Sequence, residues 1–189
     1  MQTYRAHSLN ALWLLIFANI ALFIVTLVEP NLRLLLGLPS GEAFLHQPWA
    51  IITNLFVHGS LWHILFNMVS LYFLGSFLIR LIGEKNFLIV FFLGGLAGNV
   101  FFILLAPSYA LGIGASGAVF ALGGALVMIA PRLPVIIIPI PIPVPLWVAI
   151  AIFLLISFLP NIAWQAHLGG VLLGLMAGYY FRRKGIYAR

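Results

Sequence analysis

Six apolar runs dominate the chain, at roughly 10–28, 61–81, 86–105, 115–130, 146–159 and 166–182. Each is about 15–21 residues long, close to what a helix needs to cross a ~30 Å hydrocarbon core, the shorter ones at the lower limit. The pattern predicts an all-α polytopic membrane protein, a bundle of six transmembrane helices in a single domain over residues 1–189. The first run follows Arg5 in the place of a signal peptide. It is long, lacks a small-x-small cleavage site and is followed by further spans, so it reads as a retained anchor.

Two connecting segments depart from the usual polar loop. Residues 29–60 carry Pro30, Gly37, Pro39, Gly41 and Pro48, yet also Leu34, Leu35, Leu36, Trp49 and Phe56. This mixture predicts a segment lying partly in the outer leaflet, with Trp49 near the interface. Residues 131–145 hold Pro131, Pro134, Pro139, Pro141, Pro143 and Pro145, a spacing that forbids a regular helix and predicts an extended connection against the headgroups.

Composition narrows the class. With 64% hydrophobic and 6% charged residues, the 189-residue chain has too little charge to cover a soluble surface. Its net charge of +6 is accounted for by basic residues flanking spans, and nucleic acid is not an expected partner. Placing the N-terminus in the cytoplasm puts Arg5, Arg80, Lys85, Arg132, Arg182, Arg183, Lys184 and Arg189 inside, and only Arg33 outside. That asymmetry predicts cytoplasmic termini and a multi-pass protein of the cell membrane.

Missing residue types exclude several chemistries. There is no Cys, hence no disulfide, thiolate metal site or thiol nucleophile. There is no Asp, and the only acids are Glu29, Glu42 and Glu84, which removes an intramembrane aspartyl pair and a Ser-His-Asp triad. No His-Glu-x-x-His motif is present. His58, His63 and His167 without a carboxylate would make only a water-exposed zinc site, and neither a metal nor another cofactor is expected. Lys85 and Lys184 fall at span ends, unsuited to a Ser-Lys dyad.

What remains converges on a few polar residues. Spans two, four and six begin on the outer face and run parallel. His63 and Asn67 lie in the first two turns of span two, four residues apart and so on one helix face. Ser116 lies in the first turn of span four, inside Gly114-Ala115-Ser116-Gly117, and His167 in the first turn of span six. All four share a depth just below the outer surface. Ionisable residues within spans are rare and usually functional. Beneath His167, Gly170, Gly174 and Gly178 recur every four residues; beneath Ser116, so do Gly117, Ala121 and Ala125. Such ridges let helix backbones meet in lipid. Packed together, they bring Ser116 and His167 within hydrogen-bond reach.

A serine hydroxyl needs a base to become a nucleophile. His167 is the histidine that sits over a glycine ridge complementary to the Ser-bearing span; His7 is on the cytoplasmic tail and His46 in the outer loop. With no Asp, another group must orient the imidazole, and Phe120, one turn below Ser116, is placed to stack on it. The candidate oxyanion donors are the Asn67 amide, His63 and the Ser116 backbone N–H, with Gly114 permitting close backbone approach.

These motifs resemble the rhomboid family of intramembrane serine proteases. The resemblance rests on Gly114-Ala115-Ser116-Gly117, Ala166-His167-Leu168-Gly169-Gly170, and the spacing of His58, His63 and Asn67, and covers roughly residues 45–182. It implies Ser116 as nucleophile, His167 as base, and His63, Asn67 and backbone amides as oxyanion donors. It also implies transmembrane-helix substrates that enter near spans two and five and are cut near the outer face, with residues 160–165 as a cap. Three positions depart from the family pattern. Trp49-Ala50 stands where Trp-Arg is usual, Ile79 where a Glu is usual, and Phe120 where Tyr is common.

The expected activity is therefore cleavage of single-span membrane proteins by a Ser-His dyad in a water-filled cavity open to the outer side. The rate should rise with pH as His167 loses its proton, with a midpoint of ~6.5 for an unperturbed imidazole. An alternative is a catalytically inactive rhomboid-like membrane chaperone or binding protein; such relatives lack the Ser or the His, and both are present here. A small transporter would need polar residues along a path through the bilayer or a pair of broken repeats, and neither is visible.

Overall fold

A chain in hydrocarbon must satisfy its backbone groups internally, and the apolar runs accordingly fold as helices. The computed structural model describes residues 8–137 and 140–186. Arg5, His7, Pro139 and Arg189, which figure in the sequence reading, lie outside the described residues. The helices are α1 (Asn10–Val28), α2 (Leu32–Leu36), α3 (Ala50–Thr53), α4 (Leu61–Ile82), α5 (Glu84–Leu105), α6 (Ser116–Ile129), α7 (Leu146–Ile156) and α8 (Trp164–Arg183). Six of them form the bundle of an all-α integral membrane protein. By length and composition α1, α4 and α5 are long and apolar enough to cross a membrane, while α6 and α7 are shorter apolar helices. At 1.5 Å per residue, the 14 residues of α6 reach only about 21 Å.

The centre is the junction of α5, α6 and α8. Lipid offers no hydrophobic drive for helix association, so close backbone packing must supply it. A Cβ on Gly170 would collide with the backbone oxygen of Gly117, one on Gly174 with that of Ala121, and one on Gly178 with that of Ala125. On the other flank, Gly98 of α5 faces the Ala166 carbonyl, where a Cβ would lie at 2.5 Å. Around this seam, Leu71, Leu78, Ile79, Phe87, Phe91, Leu122 and Leu126 are fully buried. Ile79, where the family usually carries Glu, is simply part of this apolar core.

The two ends of the bundle differ in charge. Arg80 ends α4, Lys85 begins α5, and Arg182 and Arg183 end α8. Arg182 reaches the Met128 carbonyl at the end of α6, at 3.4 Å. At the opposite end Arg33 reaches the Gly59 carbonyl, at 3.4 Å.

The segment after α1 is built rather than loose. It comprises α2, the two-residue strand β1 (Leu38–Pro39), a 3-10 turn at Gly41–His46, α3, and a 3-10 turn at Asn54–Phe56. Strand β1 pairs antiparallel with β2 (Leu111–Gly112), just ahead of α6. The Gln47 amide donates to the carbonyls of Leu34, Leu35 and Gly37 at 2.8–2.9 Å, and the Trp49 indole to Leu35 at 2.9 Å. Asn54 and Asn99 exchange amide hydrogen bonds at 2.8 and 2.9 Å, and Asn99 also donates to the Ile51 carbonyl at 2.7 Å. These bonds anchor the loop in a chain that has Ala50, fully buried, where the family usually has Arg.

The proline-rich connection is an antiparallel hairpin of β3 (Pro134–Ile137) and β4 (Ile140–Pro145). Pro134 pairs with Pro145 and Ile136 with Pro143, flanking the Val135–Val144 pair. Prolines recur at every second position of β4, where a strand edge needs no donor.

Candidate active site

Local sequence fixes each participant. Gly114 has φ 113°, a conformation closed to side chains, and its N–H donates to the Asn54 carbonyl at 2.9 Å. This turn delivers Ser116 to the first position of α6, where helix N–H groups lack intrahelical partners and the macrodipole favours negative charge. Ser60 caps α4 by accepting from the His63 N–H at 3.2 Å, which sets His63 in the first turn. His167 lies in the first turn of α8, which starts at Trp164, two residues before the span expected from the sequence. Residues 157–163, rather than 160–165, form the connection over this end.

The structure brings the Ser and His together. Ser116 Oγ and His167 Nε2 are 2.7 Å apart. Phe120 stacks on the His167 ring, with centroids 4.4 Å apart and planes inclined by 24°. His167 is buried, while Ser116 keeps some exposure. A hydroxyl held this way can pass its proton to an unprotonated imidazole nitrogen and become a nucleophile.

His63 and Asn67 meet the pair differently. A Cβ built on Gly114 would lie 2.6 Å from His63 Nε2, so that nitrogen sits against the turn leading to Ser116. The Gly59 N–H points at His63 Nδ1 across a long 3.4 Å contact. Nδ1 then accepts, and a neutral His63 carries its proton on Nε2, directed toward the site. Asn67 Nδ2 instead donates to the His63 carbonyl at 2.8 Å, and its buried Oδ1 has no partner. His58, just ahead of α4, packs edge-on to the His63 ring at 4.9 Å. It is fully buried, and its ring nitrogens make no well-formed hydrogen bond beyond an approach to the Phe56 backbone, which only weakly favours the charged ring. Burial, reinforced by the neighbouring His63, pushes its pKa down to about 3.

One residue of the cluster escapes the sequence reading. Ser157, directly after α7, places its Oγ 2.6 Å from His167 Nδ1 and is 2% exposed. Its only sequence signal is that it is the first polar residue after the wholly apolar run of α7. Among the described residues, no cluster of His, Cys, Asp or Glu has the geometry to hold a metal ion.

Comparison with known proteins places this chain in a family. The Rhomboid domain matches residues 45–184. The chain is 29% identical over 189 aligned residues to Rhomboid-like protease 3 of Toxoplasma gondii, covering 93% of this chain and 70% of that protein. It is 26% identical to the mitochondrial Rhomboid protein 1 of Saccharomyces cerevisiae, covering 95% of this chain and 56% of that one. It is 31% identical to the mitochondrial RHOMBOID-like protein 12 of Arabidopsis thaliana, over 70% of this chain and 46% of that protein.

Proposed function

The chain belongs to the rhomboid family, whose membership supports intramembrane protease function, and on that premise we propose that it is a serine endopeptidase acting through Ser116 and His167. The observation that carries this reading is the 2.7 Å contact between Ser116 Oγ and His167 Nε2. His167 takes the Ser116 proton as Oγ attacks the scissile carbonyl, then returns it to the leaving amine. The oxyanion falls to the Ser116 backbone N–H and His63 Nε2–H, with Gly114 keeping the space between them open. Asn67 contributes after its amide leaves the His63 carbonyl, or through the placement of His63.

The substrates we infer are single-span membrane proteins whose helices unwind locally near the outer face, because a helical peptide bond is shielded from attack. The charge asymmetry of the bundle supports cytoplasmic termini and a site at the outer end of a cell-membrane protein. The inactive chaperone-like reading is disfavoured by the presence of both Ser116 and His167. A serine-reactive fluorophosphonate probe on the purified protein tests the proposal. Labelling that disappears in Ser116→Ala supports it; an unlabelled wild type that also leaves a panel of single-span proteins uncut overturns it.

A further inference from the structure

The hydrogen bonds through His167 do not stop at Ser116. Resting on the reading of Ser116 and His167 as nucleophile and base, we propose that Ser157 is a positioning residue that holds the His167 imidazole in the tautomer protonated on Nδ1, leaving Nε2 free to receive the Ser116 proton.

Counting protons assigns the tautomer. Ser157 Oγ has two close partners, His167 Nδ1 at 2.6 Å and the Phe153 carbonyl oxygen at 2.8 Å. A carbonyl only accepts, so two oxygens 2.8 Å apart need a hydrogen between them, and Ser157 has one to give. With that hydrogen committed to Phe153, the Ser157 oxygen faces Nδ1 as an acceptor, and Nδ1 must be the donor. A neutral imidazole protonated on Nδ1 has its lone pair on Nε2, 2.7 Å from Ser116 Oγ. Each hydrogen then has one place: Ser116 to Nε2, Nδ1 to Ser157, Ser157 to Phe153. During transfer the Ser116 O–H bond breaks and an Nε2–H bond forms, while the Nδ1–H and Ser157 O–H bonds stay intact.

Burial makes the assignment consequential. Ser157 is 2% and His167 7% exposed, so water is not free to replace this bond. Among the described residues, no carboxylate reaches the ring. Phe120 restrains its face and Ser157 its edge, which together define the imidazole's orientation.

The test uses full-length protein in detergent micelles, labelled with 15N on histidine. His167 signals are assigned by their loss in His167→Asn. The expected wild-type spectrum at neutral pH shows Nδ1 protonated and Nε2 unprotonated. Ser157→Ala should transfer population to the other tautomer and slow fluorophosphonate labelling of Ser116 by about tenfold or more, since that tautomer presents N–H where a lone pair is needed. Ser157→Thr, which keeps the hydroxyl, should restore both readouts, with melting temperatures recorded for each variant. A wild type protonated on Nε2 overturns the proposal even if Ser157→Ala does not fold. So does a folded Ser157→Ala with unchanged tautomer and labelling. Failure of the wild type to label would overturn the catalytic reading alone, because the ring-nitrogen spectrum still decides the role of Ser157.

Discussion

Gly170 and Gly117 touch backbone to backbone: a single methyl on Gly170 would overlap the Gly117 carbonyl oxygen. Gly117 directly follows Ser116 and Gly170 lies one turn from His167, so the spacing of the two helices is set beside that pair. Gly170→Ala should destabilise the protein by about 1–3 kcal/mol, the range for overpacking a filled interior. It should also slow probe labelling by separating Ser116 from His167. Thermal unfolding in detergent, run beside the labelling assay, checks both.

His167→Ala should lower the cleavage rate by about 10²–10⁴-fold, the usual contribution of a positioned general base. Wild-type activity should decline on acidification, since an imidazolium has no lone pair at Nε2. Cleavage of a single-span substrate by His167→Ala at the wild-type rate would remove the base from the mechanism.

His63 and Asn67 should not be equivalent. His63 directs a donor toward the site, and its loss in His63→Ala should cost about 10²–10³-fold in kcat with little change in KM. The Asn67 amide is already engaged by the His63 carbonyl at 2.8 Å. Asn67→Ala should therefore cost less than His63→Ala. Steady-state kinetics of the two variants on one substrate decide the order.

His58 links stability to pH. Its folded pKa of about 3 lies below the ordinary 6.5, so the fold favours the neutral ring. Below pH 6.5 the unfolded chain binds a proton that the folded one refuses. The stability contributed by neutral His58 is thus complete above that pH and is lost as pH falls toward 3. His58→Phe should flatten the fall in melting temperature between pH 7 and 4. An unchanged slope would show that His58 does not stay neutral in the fold.

The site was legible where chemistry coincides with periodicity. Ser116 and His167 announce themselves because each stands above a small-residue ridge, and four-residue spacing translates directly into a helix face. Phe120 follows from the same spacing. Ser157 was not legible, because its role depends on where α7 ends and how the next seven residues turn back, and no period encodes either. Asn54 and Asn99 show the same limit: an Asn in an apolar run signals a buried amide but not its partner 45 residues away. In the hairpin, the alternating prolines exclude helix, but the matching strand Pro134–Ile137 carries no pairing signal of its own.

The brevity of α6 is a matter for the protein, not for the bilayer. At about 21 Å it is well short of a ~30 Å hydrocarbon layer, yet none of its residues is exposed, so its neighbours rather than lipid take up the misfit. Acyl-chain length in the surrounding bilayer therefore does not act on α6 directly. Tail length should then matter little at the level of Ser116, whose surroundings are set by the longer helices α4, α5 and α8 packed around it.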